Sequence, residues 1–177
     1  MMKLLSIQTL QLLRVAIICL LVGYSYAQNS QINQIEKSYK GSDRIERLYS
    51  YGEGLKKEQS SELAKVAEII KKYADKEGNR VGITYSHALF VKHYSWENDY
   101  GNILNHSMKA MEQNCPDTLD ACINIRRVLS KILADIGQID AALEHEFHVL
   151  NHFRSLNKYG PSSKICGNIG ELYHRKN

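Results

Sequence analysis

Three histidines, His145, His148 and His152, stand at i, i+3 and i+7 in and just beyond the stretch GQIDAALEHEFHVL (137–150). On a helix this spacing places all three on one face. Imidazoles one turn apart can chelate Zn²⁺, Cu²⁺ or Ni²⁺, so a metal site is the sharpest chemistry on offer. The competing expectation, a polar helix face that happens to use histidine, fits better. His-Glu-Phe-His is not the His-Glu-x-x-His of metalloproteases, whose histidines sit four apart. The only acid beside the cluster, Glu144, lies to one side of it.

Other reactive patterns fail on spacing. Gly160-Pro161-Ser162-Ser163-Lys164 lacks the glycine spacing and the preceding strand of a phosphate loop. No serine stands in a Gly-x-Ser-x-Gly elbow. Asn105-His106-Ser107 is a formal glycosylation sequon in the middle of an expected helix. The many tyrosines read as packing between helices with the hydroxyl at the edge. The chain therefore reads as non-enzymatic, with no cofactor.

The elements that would position these residues are helices. The chain has 177 residues, 44% hydrophobic and 24% charged, enough to bury a core. Its formal charge is +4, and Lys3 and Arg14 supply two of those charges within an acid-free first 27 residues. The near-balanced remainder gives no reason to expect nucleic acid, which would require a basic patch or stripe. Residues 1–27 read as a secretory signal peptide: a basic-tipped leader, a short apolar run over 15–22, and Ser25-Tyr26-Ala27 before a cut at Gln28. The apolar run is far shorter than the roughly 20 residues that cross a bilayer. The expected product is periplasmic or extracellular, with no membrane span after cleavage.

Cleavage removes Cys19 and leaves Cys115, Cys122 and Cys166. Cys115 and Cys122 could bridge a loop-to-helix corner, or Cys122 and Cys166 could meet on adjacent helices. A third alternative is that all three are small buried thiols.

Apolar periodicity predicts helices near 31–51, 59–76, 81–95, 99–113, 118–136, 138–157 and 162–175, with no strand signal. Gly52 and Gly54 are expected to stop the first, and Asp117 or Thr118 to cap the fifth. In the helix over 138–157, Ile139, Ala142, Leu143, Phe147, Leu150 and Phe153 form the expected apolar stripe. In the helix over 118–136, Leu119, Ile123, Leu129, Ile132, Leu133 and Ile136 spread over a broad arc, which suits packing on two sides. Asp120, Asn124, Arg127, Lys131 and Asp135 occupy its opposite face.

The helices repeat. Asn98-Asp99-Tyr100-Gly101-Asn102-Ile103-Leu104 and Gly137-Gln138-Ile139-Asp140-Ala141-Ala142-Leu143 are the same turn-into-helix pattern 39 residues apart, and a further 39 upstream lies the helix start at Gln59. A helix pair of this size cannot bury its apolar face alone and must stack on its neighbours. With Asn168-Ile169-Gly170-Glu171-Leu172-Tyr173 resembling that family's first-helix motif, the chain resembles a tetratricopeptide repeat protein with about 40 residues per unit. The resemblance implies an all-α solenoid of about three and a half repeats over 59–177, with 28–58 as a lead-in or degenerate repeat.

The resemblance also implies a concave face, lined by each repeat's first helix, that binds an extended peptide or protein partner. Carried over residue by residue, that face presents Lys92, Asn124, Arg127, Lys131 and Lys164. Arg127 and Lys131, one turn apart, suit a carboxylate or an acidic peptide segment. The functional expectation is an exported scaffold for protein–protein contacts. The alternative is the truncated periplasmic input region of a bacterial membrane receptor, and a remote one is metal binding by the histidine trio. The signal-peptide reading predicts that intact-mass measurement on the exported protein will find Gln28 as the first residue; a retained leader would refute it.

Overall fold

The structure, a computed structural model, describes residues 31–176. The segment read as a signal peptide lies outside the described residues, as do Cys19 and Asn177. The chain divides into two units between Lys40 and Gly41. In the first, residues 31–38 are helical (α1). The second holds α2 (Gly41–Gly54), a 3₁₀ turn (Lys57–Gln59), α3 (Ser60–Glu77), α4 (Arg80–Glu97), α5 (Tyr100–Met111), α6 (Asp120–Asp135), α7 (Ile139–Ser155) and α8 (Tyr159–Lys176). No strand occurs among the described residues.

The single helix expected over 31–51 is thus two. Tyr39 and Lys40 are not helical, and Gly41 takes a φ of +54°, a left-handed conformation that glycine adopts without steric cost. Gly52 does not stop α2 as expected; the helix runs on to Gly54. Gly52 instead admits the next helix pair, since a Cβ there would lie 2.5 Å from Leu89 Cδ1.

Four of the helix ends are built alike. Gly78, Asn98, Gly137 and Asn157 each take a positive φ. After each, the next amide bonds back to a carbonyl five residues earlier: Asn79 to Ala74 (2.9 Å), Asp99 to Tyr94 (3.1 Å), Gln138 to Leu133 (2.7 Å) and Lys158 to Phe153 (2.9 Å). This Schellman geometry satisfies a carbonyl the helix would otherwise leave unpaired, and it reverses the chain sharply. Side-chain caps then start two of the following helices, Asn79 accepting from the Gly82 amide and Asp99 from that of Asn102.

Each helix from α2 to α7 packs against its successor, the four reversals joining α3 to α4, α4 to α5, α6 to α7 and α7 to α8, and α4 additionally meets both α2 and α6. Tyr49 and Tyr85 stack at 4.1 Å where α2 meets α4. The expected two-sided packing of α6 is observed. Ile125, Leu129 and Ile132 join one apolar cluster with Val91 and Ile103, while Ile123 and Ala134 join another with Leu143, Leu150, Ile165 and Leu172. Two expected core positions fall outside: Ile136 and Phe147 are exposed. Ile136 lies at the C-cap, beyond the last turn that the neighbours cover.

Cys115 and Cys122 are joined as a disulfide with Cα atoms 5.6 Å apart. Cys166 is free and exposed, so the pairing with Cys122 and the buried-thiol alternative both fall away.

A second close approach is at Gly82, where an added Cβ would stand 2.8 Å from Ala74 Cβ and 3.1 Å from Ile45 Cδ1. Ala74 cannot swing aside, because its Cβ is fixed to the backbone of α3. Gly82→Ala is therefore expected to destabilise by about 1–2 kcal/mol despite its better helix propensity. At Gly101 a Cβ would meet only Asp99 Oδ1, at 3.6 Å. Gly101→Ala should consequently be neutral or stabilising by up to about 1 kcal/mol. Urea titration of the two variants beside the parent checks both signs.

Candidate functional site

The histidine face of α7 is only partly open to solvent. It packs on the loop between α5 and α6, and Asp117 is the hub. Arg126 Nε donates to Asp117 Oδ1 at 2.9 Å, and His148 Nδ1 lies 2.5 Å from Asp117 Oδ2. His152 is buried, with Nδ1 2.6 Å from the Asp117 carbonyl. A carbonyl only accepts, so this nitrogen of His152 carries the proton. His145 Nδ1 stands 3.4 Å from Arg126 Nη1, which only donates, so His145 accepts there.

Asp117 was expected to cap the following helix. In the structure α6 starts at Asp120 behind Leu119, with no side-chain cap bond. The carboxylate is drawn instead to a guanidinium and an imidazole, which offer stronger, charge-assisted bonds than a backbone amide. Among the described residues, no three His, Cys, Asp or Glu side chains gather closely enough to hold one metal ion. The trio acts as separate contacts: His148 and His152 staple α7 to the disulfide-closed loop, and His145 meets Arg126 of α6.

A second histidine pair was not anticipated. His87 Nδ1 of α4 and His106 Nδ1 of α5 lie 3.0 Å apart, flanked by Phe90 and Tyr94. One nitrogen must donate and the other accept, so the bond cannot survive protonation of both rings. Burial, then the neighbouring His106, pushes the His87 pKa down to about 4. Burial, then Lys109, lowers that of His106. For His145 the causes are burial and then Arg126.

A groove of about 760 Å³ takes its lining from α2, α4, α6 and α8, with Tyr100 and Ile103 of α5 and Glu146 of α7. Four of the five residues expected on a binding face line it: Lys92, Asn124, Arg127 and Lys131. Lys164 does not. It is exposed on α8 one turn before Asn168, the first residue of that helix to line the groove.

The groove's cations fall into two classes. Lys92 Nζ donates to the carbonyls of Glu53 (2.6 Å) and Gly52 (3.3 Å), with Glu53 Oε1 at 3.9 Å and the Trp96 ring centre at 5.4 Å. Arg175 donates to the Ala134 carbonyl in the last turn of α6. Both therefore close the carbonyl-rich end of another helix, where the helix dipole favours a cation. Arg127 and Lys131 are exposed and have no hydrogen-bond or ion-pair partner among the described residues. Asn124 meets the Tyr49 hydroxyl of α2, whose pKa is raised by burial first and by Glu53 next.

Glu146 is the residue that sequence reasoning missed. It was passed over for Phe147, its neighbour about 100° round the helix. Glu146 in fact occupies the centre of the apolar stripe formed by Ala142, Leu143, Val149 and Leu150, and is only 4% exposed, against 41% for Phe147. Its position, three after Leu143 and four before Leu150, was the available signal.

No family model, curated protein or solved structure matches this chain.

The histidines set a pH dependence. Each of the three lowered groups binds its proton less readily in the folded chain than in the unfolded one. Between the ordinary histidine value of 6.5 and about 4 for His87, the unfolded state thus holds more protons. Stability is expected to be complete above that window and to fall as pH drops through it. Urea midpoints measured across this range should decline, and His87→Gln should flatten the decline; identical slopes would refute the assignment.

Proposed function

We propose that the chain is an exported, non-enzymatic scaffold of the tetratricopeptide kind, and that its groove captures an extended acidic segment of a partner protein. The observation that carries this reading is Arg127 and Lys131. They are two exposed cations one turn apart, lining the groove and spending their charge on no internal partner. Carboxylates of an extended peptide running across α6 would meet both, and charge-assisted bonds of this kind are about twice as strong as neutral ones. Asn124, one turn before Arg127, adds an amide that can bond the peptide backbone.

Two further features support the reading. The matching turns at Asn98 and Gly137 keep the 39-residue spacing of the sequence repeat, as stacked helix pairs require. The Cys115–Cys122 disulfide suits an oxidising compartment, in keeping with an exported chain.

The test is fluorescence polarisation with a labelled decapeptide rich in Asp and Glu. Reversing both charges, Arg127→Glu with Lys131→Glu, is expected to weaken binding at least about tenfold, because two charged contacts become repulsive. Lys164→Glu, outside the groove, should leave binding within about twofold. Equal affinity of the doubly reversed variant would refute the reading.

A further inference from the structure

Glu146 is an ionisable side chain in a place that apolar residues normally hold. Its flanks along α7 are Leu143, Val149 and Leu150, all buried. Its Oε2 is fully buried and has no hydrogen-bond partner. The residue nevertheless lines the groove, as do Ile132 and Ala134 of α6 and Leu172 of α8. A carboxyl oxygen shut away from water without a partner is costly, by more than any single apolar contact could repay. Its place in the groove wall means that the missing partner can be delivered from outside.

We propose that Glu146 is the receptor for a cationic side chain, arginine or lysine, of the peptide that occupies the groove. The surroundings fit a guanidinium or ammonium on an aliphatic stem. Ile132, Ala134 and Leu172 would cover the stem, since long cationic side chains bury their methylenes and save the charge for a polar partner. Two more acids, Asp135 and Glu171, are exposed in the groove lining and add negative potential to it. Arg175, a cation of the groove lining, is already committed to the Ala134 carbonyl. The groove is thereby divided, with a cationic stretch at Arg127 and Lys131 and an anionic recess at Glu146. This inference rests on the groove being a peptide site and adds to the acidic-segment reading a second, opposite requirement on the same ligand.

The experiment uses small probes, so that it does not depend on recognition of the acidic segment. The full ¹⁵N-labelled chain is titrated with N-acetylarginine methylamide and, separately, with the citrulline counterpart, which has nearly the same shape and no charge. Saturable shifts at Glu146 and its neighbours are expected with the arginine probe, and binding about tenfold weaker with the citrulline probe. Glu146→Gln should erase that preference. Equal binding of the two probes, or no shift near Glu146 with either, overturns the inference. The probe comparison needs only the parent chain, so it decides the matter even where Glu146→Gln folds poorly. The acidic decapeptide is measured alongside. If it binds through Arg127 and Lys131 while the two small probes behave alike, the recess fails and the groove reading stands. If the arginine probe alone binds, the acidic-segment reading fails and the recess stands.

Discussion

A helix with one apolar stripe has to be brought back onto its predecessor within a few residues, or the stripe stays in water. In this chain one kind of bond does it: an amide reaching back five residues past a left-handed Gly or Asn, at Gly78, Asn98, Gly137 and Asn157. Everything else presupposes that reversal. The close approach at Gly82 works only because α3 and α4 turn sharply into each other. The two apolar clusters sharing α6 form only because α5 and α7 are delivered to its opposite sides. The bond is not used between α2 and α3, where a 3₁₀ turn intervenes, nor between α5 and α6, where a longer loop carries the disulfide and the Asp117 hub.

Helix order was largely legible in the sequence because both signals involved are local. A break needs a residue that tolerates positive φ, and a core face needs a period near 3.6. Legibility ended where a residue's role is settled by something distant along the chain. Asp117 looked like a cap, and its actual partners lie nine residues on at Arg126 and 31 on at His148. Lys92 looked like a free groove cation, yet it serves carbonyls some 40 residues earlier. Glu146 was lost for a different reason. Hydrophobicity was weighed above angle, so an adjacent phenylalanine stood in for a buried acid.

The histidines show how residue type and chemistry can part company. The trio of α7 had the spacing of ligands, and each member is engaged by a different group: Arg126, the Asp117 carboxylate and the Asp117 carbonyl. The pair with a true ring-to-ring contact, His87 and His106, sits 19 residues apart on two helices and had no motif to announce it.

The division of the groove cations has a kinetic side. With Lys92 and Arg175 held at helix ends, the uncommitted charges of the groove are Arg127 and Lys131 against Asp135, Glu146 and Glu171. Seen from beyond a Debye length of about 8 Å, such a mixture nearly cancels. The groove thus has no long-range field, and a peptide of the kind proposed for it would meet it at the unassisted rate of about 10⁵–10⁶ M⁻¹s⁻¹, nearly indifferent to salt. Discrimination between such peptides would be left to how long each one stays.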